Sequence, residues 1–164
     1  MRIIESLDAL RELVGQEVAV SDWMEITQQQ VNQFAEATGD RQWIHVDVER
    51  ARRESPFGAP VAHGFLTLSL SLLPALMHNA LDMPDVKMGV NYGLNKVRFM
   101  APVPVGSRLR ARVSLLGMEV LPPLQSSPDA PALTGAQMTW NVMIEREGQE
   151  RPVCVAESIS RRYS

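Results

Sequence analysis

The stretch HGFLTLSLSLLPALMHNA, residues 63–80, decides the fold. From Gly64 to Leu81 only Thr67, Ser69, Ser71, His78 and Asn79 break the apolar run, and Pro74 interrupts it. Spanning a bilayer takes roughly 20 predominantly apolar residues. This segment is too short and too polar for that, so no membrane partner is expected. A helix that is apolar all round lies in a core, and a buried helix is therefore expected from about His63 to Ala80.

Outward from this helix, the downstream periodicity changes to two. Leu109, Ala111, Val113 and Leu115 alternate with Arg108, Arg110, Arg112 and Ser114, and Ala136, Met138, Trp140, Val142 and Ile144 repeat the pattern. Such alternation marks strands with one wet face. Residues 86–99 and 153–159 read as further strands, and residues 121–131, rich in Pro and Ser, as a long mobile connection between two strands. Upstream, a strand over residues 17–26 ends at Thr27, which with Gln30 makes a Thr-x-x-Gln capping box. The helix so opened runs to Thr38, because Val31, Phe34, Ala35 and the Thr38 methyl share one face and Gly39 follows where a left-handed residue closes a helix. Residues 40–46 are too short for another element, and a short helix over residues 47–54 stops at Ser55-Pro56-Phe57-Gly58. One apolar helix followed by several strands predicts an α+β fold. The expected form is a single domain over residues 1–164, an antiparallel sheet wrapped around a long central helix, the hot-dog architecture.

At 164 residues one core suffices. The 16 Lys and Arg nearly balance the 19 Asp and Glu, so the electrostatic footprint that drives nucleic-acid binding is missing. Cys154 is the lone cysteine and the three His are scattered, which gives no intrachain disulfide and no Cys/His metal spacing. Residues 1–20 mix Glu5, Asp8, Arg11 and Glu12 among apolar residues, unlike a secretion signal. A cytoplasmic protein is expected.

The stretch richest in chemistry is Ala37-Thr38-Gly39-Asp40-Arg41-Gln42-Trp43-Ile44-His45, followed eighteen residues on by His63-Gly64-Phe65-Leu66. Taken singly, Asp40 reads as a turn former bonding its own backbone and His45 as a surface or internally satisfied histidine. Taken together, they are two titratable side chains projected from one short segment anchored at both sides, as a reaction that moves protons to and from a single water requires. Gly64 at a helix start offers a free N–H that an oxygen can approach closely, a place for developing negative charge.

These residues resemble the hydratase signature of the MaoC-like family, in which Gly-Asp is followed five residues after the Asp by the His, with a His-Gly opening the central helix. The likeness extends through Asn91-Tyr92-Gly93, Val97-Arg98-Phe99 and Val105-Gly106. Where the family usually has Asn-Pro, this chain has Gln42-Trp43, which is similar to the branch containing nodulation protein N and related actinobacterial hydratases. The resemblance implies an enoyl-CoA hydratase, or 3-hydroxyacyl-CoA dehydratase, of fatty acid metabolism that forms the (R)-3-hydroxyacyl product. It further implies Asp40 and His45 as the acid/base pair, an oxyanion site at Gly64, no metal, and no cofactor beyond the coenzyme A of the acyl-CoA substrate. Hot-dog domains pair their sheets, so a homodimer is expected, which also protects an otherwise sticky edge strand.

Other residues carry two readings each. His63 is either catalytic or a helix-start residue that positions the oxyanion loop. A serine on the central helix assists related hydratases; counting from His-Gly lands on Leu72, which leaves its neighbour Ser71 as the candidate. Trp43 either shields the water site or packs in the core. Arg98 and Lys96 are candidates for coenzyme A phosphates, whereas Arg108, Arg110 and Arg112 fit a solvated strand face. His78 fits a partner for the C-terminal helix dipole, and Met77, Met83 and Met88 an adaptable core or tunnel lining. A hot-dog thioesterase and a non-catalytic acyl-CoA binder are the rival functions. Many thioesterases of this fold use a carboxylate on or near the central helix, and residues 64–81 contain none.

Overall fold

The computed structural model describes residues 1–72, 77, 80–125 and 127–164. In chain order the elements are β1 (Arg2–Ile3), α1 (Leu7–Arg11), β2 (Glu17–Val20), β3 (Met24–Glu25), α2 (Gln28–Thr38), α3 (Trp43–Val46), α4 (Val48–Glu54), α5 (Gly64–Leu72), β4 (Leu81–Asp82), β5 (Met88–Phe99), β6 (Arg108–Leu124), β7 (Leu133–Arg146) and β8 (Cys154–Tyr163). A six-stranded antiparallel sheet has the order β2-β6-β7-β8-β5, with β3 also paired to β6. The central helix α5 packs on β7 and β8, the middle of the sheet. This is the expected α+β hot-dog arrangement.

The two alternating strands pair as their pattern requires: Val113 sits opposite Val142 and Leu115 opposite Trp140. Their apolar faces form the core, with Leu109, Leu115, Met138 and Ile144 fully buried. Each such side chain contributes about 1.5–3 kcal/mol on leaving water, and Leu115→Ala would cost about 2–5 kcal/mol. The arginines of β6 take the wet face, where Arg108 meets Glu147, Arg110 meets Glu145 and Arg112 meets Glu17. Helix α5 inserts Leu66, Thr67 and Leu68 into the interior.

Several boundaries differ from the sequence reading. Residues 17–26 form two strands, because Ser21 takes over from the ladder with both its backbone N–H and its hydroxyl on Ala111. Part of the expected mobile connection is strand, since β6 runs through Pro122-Pro123 to Leu124, opposite Leu133. β2 and β3 pair with β6 only up to Ser114, so the prolines, which have no N–H to donate, fall on an otherwise free side. The one-turn helix α3 occupies residues left without an element, and the expected central helix is described as far as Leu72 and again at Met77. His78 lies outside the described residues. Among the described residues no helix is long and apolar enough to cross a membrane.

Candidate active site

Helix α2 delivers Asp40. Thr27 and Gln30 satisfy each other's backbone N–H groups at its start, and Gly39 ends it at φ 78°. A left-handed residue at that point turns the chain sharply, and Asp40 emerges with its side chain 56% exposed. Across this turn the Arg41 guanidinium pairs with Glu36 and holds its carboxyl below the usual carboxylate range.

His45 is buried in α3 and held from two directions. Gln28 of α2 donates to the His45 carbonyl at 2.8 Å. Val61 gives its N–H to the Ile44 carbonyl, while its own carbonyl accepts from His45 Nδ1 at 2.7 Å. Because a carbonyl only accepts, Nδ1 carries the hydrogen and Nε2 keeps a free lone pair. Burial pushes the His45 pKa below 6.5 and the neighbouring His63 adds to that, outweighing the Val61 bond and the Asp40 charge. The imidazole is therefore a neutral acceptor at pH 7.

His63 joins them from the loop before α5. That loop is fixed by Ala62 donating to the Val103 carbonyl and by a bridge between Val61 and Pro104. The His63 ring is buried and stacks on His45 with centroids 3.8 Å apart and 27° between planes. Its Nε2 donates to the Asp40 carbonyl at 2.9 Å and lies 4.0 Å from the Asp40 carboxylate. Thus His63 ties the Asp40 backbone to the ring of His45.

Gly64 opens α5 beside this cluster. A Cβ there would meet three ring atoms of Phe99 at 3.1 Å, so the close approach of Phe99 is a requirement for glycine that the sequence did not reveal. As the first helical residue, its N–H has no partner within the helix. Bordering Gly64, a cavity of about 350 Å³ is lined by Phe57, Ala62, Thr67, Phe99, Met100 and Val153 among others. Asp40, His45 and His63 do not line it. Thr67, which the sequence pattern did not single out, is buried there, and among the described residues its Oγ1 has no hydrogen-bond partner.

The remaining candidates stand apart. Arg98 is exposed on β5 with its guanidinium on the neighbouring Val97 carbonyl. The side chain of Ser71 lies outside the described residues. Trp43 is half-buried, with the Arg50 guanidinium 4.4 Å from its ring centre in a cation–π contact. Burial pushes the Cys154 thiol up to about 11, which removes it as a nucleophile.

Asp40, His45 and His63 offer ligand atoms that all lie within 4.8 Å of one another. The two imidazoles are stacked, and each bonds one ring nitrogen to a backbone carbonyl, His45 to Val61 and His63 to Asp40.

Residues 10–125, which include all of these groups, match the model of the MaoC-like domain. The chain belongs to the MaoC-like family. This MaoC-like domain is 52% identical over 161 residues to 3-hydroxyacyl-thioester dehydratase Z of Mycobacterium tuberculosis, covering 98% of each chain. It is 43% identical to Nodulation protein N of Rhizobium leguminosarum bv. viciae, covering 94% of this chain and 89% of the other. Among solved structures, a monoamine oxidase regulatory protein from Archaeoglobus superposes with a TM-score of 0.72 at 21% identity, covering 99% and 97% of the two chains, a likeness of fold.

Proposed function

We propose that this MaoC-like domain is a 3-hydroxyacyl-thioester dehydratase that also runs in reverse, adding water to a trans-2-enoyl-CoA to give the (R)-3-hydroxyacyl-CoA. One observation carries the reading: a neutral His45 with Nε2 free stands beside the Asp40 carboxylate, next to the open N–H of Gly64. The full-length likeness to a protein named for this chemistry supports it.

In the hydration direction the thioester oxygen rests on the Gly64 N–H, which stabilises the negative charge that develops there. Water hydrogen-bonds to Asp40 and His45 Nε2, and its oxygen attacks C3. The C2–C3 π electrons move toward the carbonyl. His45 has no proton to release from Nε2 until it receives one, so the proton leaving water enters the Asp40/His45 pair and is handed to C2. Atoms balance with no group beyond the thioester, and no cofactor is invoked. Residues 64–81 contain no carboxylate, which weighs against the thioesterase alternative.

The working unit is a homodimer in the cytoplasm. β5 is the sheet's edge and is exposed along almost its whole length, showing Val90, Tyr92, Leu94 and Phe99. A twelve-residue exposed edge strand carrying these apolar side chains is an aggregation hazard unless covered, and pairing with β5 of a second copy would cover it. Loss of the conjugated enoyl absorbance, measured over trans-2-enoyl-CoA chain lengths with chiral analysis of products, tests the activity. No turnover with any chain length would overturn it.

A further inference from the structure

We propose that Thr67 recognises the first amide of the pantetheine arm that carries the acyl group. The inference rests on the reaction above and assigns its second half, the carrier side of the thioester. With the carbonyl oxygen at Gly64, the acyl carbons must extend to Asp40 and His45, where the water is. The sulfur arm leaves in the other direction. The cavity of about 350 Å³ borders Gly64 but not Asp40, His45 or His63, which makes it the space open to that arm.

Among the described residues its lining is apolar except at one side chain, Thr67, which shares it with Phe57, Phe99, Met100 and Val153. Thr67 is 2% exposed, and among the described residues its hydroxyl has no hydrogen-bond partner. A helical threonine usually spends its hydroxyl on the carbonyl one turn back, as Ser69 does on Phe65 at 2.7 Å. Here the His63 carbonyl accepts from the Thr67 backbone N–H while the hydroxyl stays unpaired. Leaving a buried polar group unpaired is costly, so such a group in a binding cavity marks where a ligand supplies the partner. Residues three apart on a helix stand about 5–6 Å from each other on one face. That separation matches the sulfur and ethylene unit between a thioester carbonyl on Gly64 and the first pantetheine amide at Thr67. The hydroxyl can accept from the amide N–H or donate to its carbonyl.

The test compares three crotonyl thioesters: the coenzyme A ester, the N-acetylcysteamine ester, which keeps the amide, and the S-butyl ester, which lacks it. In the parent, kcat/KM for the N-acetylcysteamine ester should exceed that for the S-butyl ester by about three- to tenfold. Thr67→Val should erase that ratio, mainly by raising KM for the N-acetylcysteamine ester, while Thr67→Ser should keep it. A parent ratio near one overturns the assignment even if the valine variant does not fold, and so does an equal loss on both small esters. Crotonyl-CoA and crotonyl-acyl carrier protein run in parallel show which carrier is preferred, and the Thr67 effect is expected with both. Should the parent turn over no ester, the dehydratase reading fails. The amide preference is then read separately, as the ratio of calorimetric Kd values for saturated butyryl-N-acetylcysteamine and S-butyl butyrate thioesters.

Discussion

Substituting Gly64 separates packing from chemistry, because the two effects differ in size. A methyl at this position meets the Phe99 ring at 3.1 Å, against an ordinary carbon–carbon separation of about 3.5–4.0 Å. The ring must retreat by roughly half an ångström. Phe99 is 45% exposed and can move, so Gly64→Ala should fall at the low end of the 1–3 kcal/mol overpacking range. Replacing a helical glycine returns about 0.5–1 kcal/mol, so net stability should change by no more than about 1 kcal/mol. Gly64→Val, bulkier and branched, should cost about 1–3 kcal/mol. Turnover is a different matter, since losing one oxyanion donor costs about 10²- to 10³-fold in kcat. The assay is crotonyl-CoA hydration beside thermal unfolding, for each variant with and without Phe99→Leu. Relieving the ring should restore stability and leave the catalytic deficit. Near-normal activity of folded Gly64→Val, or full recovery of turnover through Phe99→Leu, would refute the oxyanion role.

Three further outcomes are expected. Protonating His45 Nε2 blocks its acceptor role, so hydration should fall on an acidic limb with a midpoint below 6.5; a limb centred above 6.5 would contradict the burial argument. Stability should change over the same window: above 6.5 neither folded nor unfolded His45 binds a proton, and as pH falls toward the lower folded value the unfolded chain takes one up first, destabilising the fold. Thr27→Ala removes one arm of the capping box and should cost about 0.5–2 kcal/mol in urea unfolding with kcat nearly unchanged. Light scattering should give twice 18.3 kDa, and Leu94→Lys on the exposed β5 edge should shift the mass toward the monomer; an active monomeric parent would remove the dimer from the account.

Features carried by local chemistry were legible in the sequence. The Thr27/Gln30 box, the left-handed Gly39 and the alternation of Leu109 to Leu115 each depend on neighbours a few residues away, and each stands as read. The pairing of Asp40 with His45 was visible as spacing. What holds them was not: the Val61 tether reaches His45 across 16 residues and the His63 bond reaches Asp40 across 23, and no periodicity encodes such contacts. Helix α1 escaped because five residues capped by Ser6 give too short a pattern. The expected buried face of α2 was slightly too wide, since Val31 and Ala35 are buried whereas Thr38 is exposed. Phe99 on Gly64 could not be anticipated, because β5 faces solvent on both sides and lacks the alternation that would have aimed its side chains.

The central claim is that Asp40 and His45 act on one water, and a double-mutant cycle in hydration of crotonyl-CoA tests it most directly. Asp40→Asn leaves the backbone carbonyl that His63 uses and should change stability by no more than about 0.5 kcal/mol. His45→Asn abandons the Val61 carbonyl and should cost about 1–3 kcal/mol, so the cycle is run well below the melting temperature of every variant. Each single change should lower kcat about 10²- to 10⁴-fold. Because the pair shares the proton, the double variant should lose far less than the product of the two single losses. A folded single variant within about threefold of an active parent would contradict the claim, since a general acid/base group is worth at least about 10²-fold; so would losses that multiply in full, which would mean two residues acting on separate steps.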